Sequence, residues 1–80
     1  MHFVYILQSI AHPGQFYTGL CTDVFARLSA HNAGQSPHTS KYKPWRLLSY
    51  HWFESEETAA AFERYLKSGS GRAFAMKRLR

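Results

Sequence analysis

Five side chains of this sequence are of the types that can break a phosphodiester bond: Tyr5, Tyr17, Arg27, His31 and Glu63. Tyr5 and Tyr17 fall in neighbouring strands of a predicted hairpin, where cross-strand side chains approach each other. A tyrosine accepts a proton from an attacking water once nearby positive charge lowers its pKa. The same pair also reads as two half-buried strand aromatics, a favoured use of Tyr. Arg27 carries a planar fork of donors that fits phosphate oxygens better than a lysine does. His31, one helical turn later, can relay a proton or hold a phenol or a water. An exposed Arg with a partly buried His beside it on an amphipathic helix has the same spacing.

Glu63 lies beside the apolar stripe of a later helix whose N-terminal end is already supplied with Glu56 and Glu57. A lone carboxylate suits Mg²⁺, which keeps most of its waters and takes one or two protein carboxylates plus substrate phosphate. A salt bridge to Lys67, four residues on, is the alternative. The histidines at 2, 12, 31, 38 and 51 show no paired ligand spacing, and with Cys21 as the only cysteine no recognised zinc site exists. Lys67-Ser68-Gly69-Ser70-Gly71-Arg72 lacks the strand and spacing of a phosphate-binding loop and reads as a helix break. Trp45, Tyr50 and Trp52 can stack on bases, although in a domain this small such residues more often fill the core.

These residues need a scaffold. Phe3 to Leu7 is β-rich, with Phe3, Tyr5 and Leu7 on one face and Val4 and Ile6 on the other, so the strand is expected to be covered on both sides. Pro13-Gly14 marks a turn, and Gln15 to Leu20 forms a second strand, giving an antiparallel hairpin. Thr22 or Asp23 caps a helix to about Asn32 with Val24, Phe25 and Leu28 as its stripe, and Gly34 ends it. Gln35 to Pro44 reads as a polar loop. Trp45 to Phe53 is a third strand, with Leu47 and Phe53 on one face and Leu48, Tyr50 and Trp52 on the other. Ser55 caps the next helix, whose apolar side is Ala59, Phe62, Tyr65 and Leu66. A short basic helix runs from Arg72 to about Arg80. The order β-β-α-β-α-α predicts an α+β fold, a three-stranded antiparallel sheet flanked by helices, in a single domain over residues 1–80.

Composition narrows the partner. Eighty residues hold ten Lys and Arg against five Asp and Glu, a net charge of +5, with a pI near 9.7. Such an excess favours a polyanion. The positive charge is scattered among aromatics and loops, which speaks against a membrane-surface helix. No apolar run approaches the roughly 20 residues of a membrane span. The N-terminal stretch lacks a basic n-region, and a single cysteine fits a reducing compartment, so a cytoplasmic protein is expected.

Together these residues resemble the GIY-YIG nuclease superfamily. Val4-Tyr5-Ile6 stands where that family has its first motif and Tyr17-Thr18-Gly19 where it has its second. Arg27 and His31 follow on the first helix, and Glu63 falls where the family keeps its metal-binding acid. Phe62-Glu63-Arg64-Tyr65-Leu66-Lys67 followed by Gly71-Arg72 is similar to the small stand-alone bacterial branch, itself like the catalytic domain of the UvrC excision-repair subunit.

The resemblance implies a metal-dependent endonuclease acting on DNA sooner than RNA, in repair or recombination. Glu63 would hold a single Mg²⁺ or Mn²⁺, and Tyr5 would act as general base with Tyr17 positioning water or phosphate. Arg27 would neutralise developing charge, and His31 would orient Tyr5 or relay a proton. Val4 and Thr18 depart from the motif's Gly and Ile. Many family nucleases keep an asparagine late in the domain, whereas the only one here is Asn32. Family members usually carry an extra targeting domain, so affinity is expected from this domain's own charges: Lys41, Lys43, Arg46, Arg64, Lys67 and Arg72, with Lys77, Arg78 and Arg80 beside them. A non-cutting nucleic-acid-binding module of the same fold, working with a protein partner or as a homodimer, is the second expectation.

Overall fold

In a computed structural model, which describes residues 2–80, the first strand is the centre of the sheet. Strand β1 (His2–Ser9) pairs antiparallel with β2 (Phe16–Cys21) on one edge and with β3 (Trp45–Phe53) on the other, in the order β2-β1-β3. Its alternating apolar residues demand cover on both faces, and both are covered. Val4 and Ile6 pack with Ala59, Leu66 and Ala75, while Tyr5 and Leu7 pack with Val24 and Trp45. Helix α1 (Val24–Asn32) therefore lies on one side, and α2 (Glu56–Lys67) with α3 (Gly69–Arg78) on the other. The α+β architecture and the element order are as the sequence predicts.

The helix starts follow from their caps. Asp23 accepts a hydrogen bond from the Ala26 amide at 3.0 Å, and Ser55 accepts one from Thr58 at 3.3 Å, each satisfying an otherwise unpaired first-turn donor. Gly34 ends the α1 segment at φ 76°, a left-handed conformation suited to glycine.

Four expectations need correction. A bulge in the β1–β3 ladder pairs Leu7 with Leu47 and Ile6 with Ser49. The extra residue, Leu48, turns to the α2 side with Phe53, whereas Leu47 joins Tyr5 and Leu7. One inserted residue reverses the alternation of faces.

Helix α1 buries Val24 and His31, with Leu28 half-buried between them, and leaves Phe25 62% exposed. Its stripe runs through the histidine. On α2, Tyr65 is 41% exposed, so Ala59, Phe62 and Leu66 carry the packing.

Finally, α3 begins at Gly69 and not at Arg72. Ser68 caps it by accepting from the Gly71 amide at 3.2 Å. A side chain at Gly71 would run into the Tyr65 carbonyl, so the α2–α3 corner closes only over glycine. The Ser-Gly-Ser-Gly run breaks one helix and starts the next.

Candidate active site

Tyr5 stands opposite Gly19 in the β1–β2 register. A Cβ at Gly19 would come within 2.5 Å of the Tyr5 ring and hydroxyl. The glycine that closes Tyr17-Thr18-Gly19 is thus the bed on which the Tyr5 ring lies. Replacing Gly19 by alanine should cost about 1–3 kcal/mol, the usual range for overpacking. Thermal unfolding checks this; an unchanged midpoint would mean the ring is free to move aside.

Held there, Tyr5 is only 1% exposed, and its hydroxyl meets His31 Nε2 at 2.9 Å. His31, fully buried, meets Thr39 Oγ1 with Nδ1 at 2.7 Å. Thr39 has the Ser36 carbonyl at 3.5 Å, while its own carbonyl accepts from Trp45 Nε1 at 2.9 Å. One proton arrangement satisfies the whole chain. His31 donates from Nδ1 to Thr39, whose hydroxyl turns to Ser36, and the Tyr5 O–H donates to Nε2. The opposite tautomer would leave the buried Tyr5 proton without an acceptor among these groups.

Tyr17 completes the cluster. Its ring lies 4.8 Å from the His31 ring and 6.1 Å from that of Tyr5, centroid to centroid. Arg27, exposed on α1 one turn before His31, reaches over from outside and acts on both tyrosines. Four of the five residues predicted from sequence therefore converge on one point of the sheet.

The electrostatics differ from the expectation. Burial pushes the Tyr5 phenol up to about 12, outweighing the opposing effect of Arg27. Burial, with Arg27 second, also holds His31 below its usual range. At neutral pH the pair is a neutral phenol hydrogen-bonded to a neutral imidazole. The proton acceptor in this pair is the imidazole.

Glu63 lies on α2, across the sheet from α1. Its side chain is 19% exposed and accepts from Lys67 Nζ at 2.8 Å. Glu63 does not join the tyrosines; its partner Lys67 lines a cleft at the β2 edge that Tyr17 also borders. Arg72 and Arg80 line that cleft as well. The other predicted basic residues sit elsewhere: Lys41 over the Tyr42 ring, Arg46 on Gln8 at 2.6 Å, and Arg64 in a cleft shared with Glu56 and Glu57. Lys43 is exposed beside Gly34.

Asn32 is spent on structure. Its side-chain oxygen accepts from the Trp45 amide at 2.6 Å and its Nδ2 donates to the Trp45 carbonyl at 3.0 Å, tying the end of α1 to the start of β3. Trp45 is buried, whereas Tyr50 and Trp52 are 49% and 54% exposed. Thr39 and Gly19 are the contributors that residue-type reasoning passed over. The only signals were a glycine inside a strand, which marks close approach, and a threonine within a polar loop, which marks nothing.

The model of the GIY-YIG catalytic domain matches residues 1–78. The chain belongs to the GIY-YIG family. A UPF0213 protein of Streptococcus pyogenes serotype M3 is 35% identical over 72 residues, covering 89% of this chain and 76% of the relative. Another from serotype M5 is 40% identical over 58 residues, covering 71% and 63%. The solution NMR structure of a UPF0213 protein from Bacillus halodurans superposes with a TM-score of 0.57 at 33% identity, covering 95% of this chain and 82% of that one. Membership places this GIY-YIG domain in a nuclease family. Among the described residues, no helix is long and apolar enough to cross a membrane.

Proposed function

We propose that this GIY-YIG protein is a metal-dependent endonuclease that hydrolyses phosphodiester bonds, DNA before RNA, in DNA repair or recombination. The observation that carries the reading is the Tyr5–His31–Thr39 chain beneath Tyr17 and Arg27. A domain that only gripped nucleic acid would have little use for a buried, fully satisfied hydrogen-bond chain that ends at the Tyr5 hydroxyl, with a second tyrosine and an arginine against it.

The substrate phosphate draws the Arg27 guanidinium onto its oxygens, which uncovers the Tyr5 hydroxyl to a water. As the water attacks phosphorus and the P–O bond to the leaving nucleoside oxygen breaks, Tyr5 takes the water's proton while passing its own to His31 Nε2, and the departing oxygen is protonated from solvent. Thr39 holds the imidazole in the receiving tautomer throughout. Tyr17 orients the water or a phosphate oxygen. Arg27 stabilises the charge that develops on the phosphate oxygens, a contribution made in the transition state.

The residues present also fit a divalent cation. Among the described residues no three His, Cys, Asp or Glu cluster into a ready metal cage. Mg²⁺ does not require one, because it binds through one or two carboxylates and substrate phosphate while keeping waters. Glu63 supplies such a carboxylate, and Lys67 has to release it. Bound there, Mg²⁺ or Mn²⁺ would supply Lewis-acid neutralisation of phosphate charge.

The pH dependence of cleavage tests the proton path. With the neutral imidazole as acceptor, the rate is lost as pH falls below the ordinary His value of about 6.5. It should then stay flat from about pH 7 to about pH 9, because Tyr5 remains protonated throughout. A free phenolate base with a pKa of about 12 would instead give a rate rising about tenfold per pH unit across that range. That rise would overturn the assignment to His31.

A further inference from the structure

The β2 edge carries a second feature that the hydrolytic centre does not use. A cleft of about 500 Å³ opens between β2 and the α2–α3 corner, lined by Phe16, Tyr17, Thr18, Lys67, Arg72 and Arg80 together with the Gly14-Gln15 turn and Leu66. Three cationic side chains meet in it, and no carboxylate side chain is in the lining. Like charges this close repel, and burial together with Arg72 pulls the Arg80 pKa down from its usual value.

Something must hold the arginine against that cost. The Arg80 guanidinium lies 3.9 Å from the centroid of the Phe16 ring, a close cation–π stack. The stack leaves the edge donors of the guanidinium free for a planar or tetrahedral anion. Lys67 borders the same cleft while its ammonium is bound to Glu63.

We infer that this cleft seats a second, non-scissile phosphate of the nucleic acid strand, gripped by Arg72 and the Phe16-stacked Arg80. The inference rests on the nucleic-acid reading above and deepens it, because it fixes which cations grip the strand beside the cut. Tyr17 borders both the cleft and the Tyr5–His31 cluster, so the second phosphate adjoins the scissile one across the β2 edge. Lys67 turns from Glu63 to the seated phosphate. Seating the strand thereby frees the carboxylate that the metal needs.

The register of the sheet supports the direction of approach. Gln8 stands between Phe16 on β2 and Arg46 on β3. Lys67, Arg72, Arg80 and Arg46 thus gather at the hairpin end. Asp23 and Glu54 follow β2 and β3 at the opposite end of the sheet, and Glu56 and Glu57 begin α2 there. A polyanion is steered to the cleft and away from the acids.

The test is binding, so it does not depend on turnover. Fluorescence anisotropy of a fluorescein-labelled single-stranded DNA 12-mer is measured in EDTA over a series of salt concentrations. Arg72→Ala and Arg80→Ala should each bind about tenfold more weakly, the order expected for a lost charge-assisted contact. Each should also lower the salt slope by about 0.7, the value for one fewer phosphate neutralised on a single strand.

Phe16→Leu should weaken binding with the slope unchanged, because the charge remains but its stack is lost. Met76→Ala, exposed on α3 and outside the cleft lining, should bind as the unsubstituted chain does. Circular dichroism reports the fold of each variant. Wild-type affinity and slope in both arginine variants would overturn the seat while leaving the nuclease reading standing. No binding of the 12-mer by the unsubstituted chain would overturn both.

Discussion

Arg27→Ala should slow phosphodiester cleavage by about 10²–10³-fold, the loss typical of removing one preorganised donor from a charge-stabilising site. Binding of the same substrate in EDTA should weaken far less. The separation follows from where the guanidinium sits. It is exposed on α1, over two tyrosines, and in the proposed mechanism it meets the substrate where charge develops. Its loss should leave the fold intact, since the Tyr5–His31 and His31–Thr39 hydrogen bonds do not run through it and substitutions at exposed positions usually shift stability by within about 0.5 kcal/mol. Parallel measurement of single-turnover rate and Kd decides the matter. Equal losses in both would make Arg27 a docking residue.

Glu63→Ala should abolish metal-dependent cleavage, a loss on the order of 10³-fold or more when a Lewis acid worth several kcal/mol is removed. The same change deletes only one partially exposed i,i+4 ion pair with Lys67, worth about 0.3–0.5 kcal/mol on a helix. The unfolding midpoint should therefore barely move. If Glu63 acts only as a partner for Lys67, activity will survive and excess Mg²⁺ will stimulate the variant as strongly as the unsubstituted chain. That result would remove Glu63 from the metal site and leave the cation without a protein ligand.

Much of this arrangement is legible in the residues. Apolar residues on both faces of Phe3 to Leu7 are enough to require cover on both sides of that strand, and Asp23 and Ser55 announce the helices they cap. The spacing of Arg27 and His31 sets them one turn apart on α1, and the Pro-Gly turn brings Tyr17 beside Tyr5. Those features are local, or repeat with a known period. What escapes is set by tertiary packing.

The bulge that turns Leu48 to the α2 side leaves no mark in the composition of β3. Gly69 and Gly71 have poor helix propensity, so their run reads as a break. Only the Tyr65 carbonyl behind Gly71 explains why glycine begins a helix there. The depth of Tyr5 is not written in its neighbours either. An arginine nearby predicts a lowered phenol pKa, yet burial outweighs it and raises the Tyr5 pKa instead. Thr39, which fixes the imidazole, sits in a loop whose composition says only that it is polar.

The direct measurement is nicking of supercoiled plasmid by the purified chain, with Mg²⁺ or Mn²⁺ against EDTA and with Tyr5→Phe and Glu63→Ala run alongside. Metal-dependent conversion to open circles, lost in EDTA and in both variants, is the predicted result. Cleavage that persists in EDTA or in either variant would contradict the assignment of the centre. No cleavage of plasmid, single-stranded or branched DNA, or RNA, by a chain that still binds them in a salt-sensitive manner, would contradict the nuclease itself.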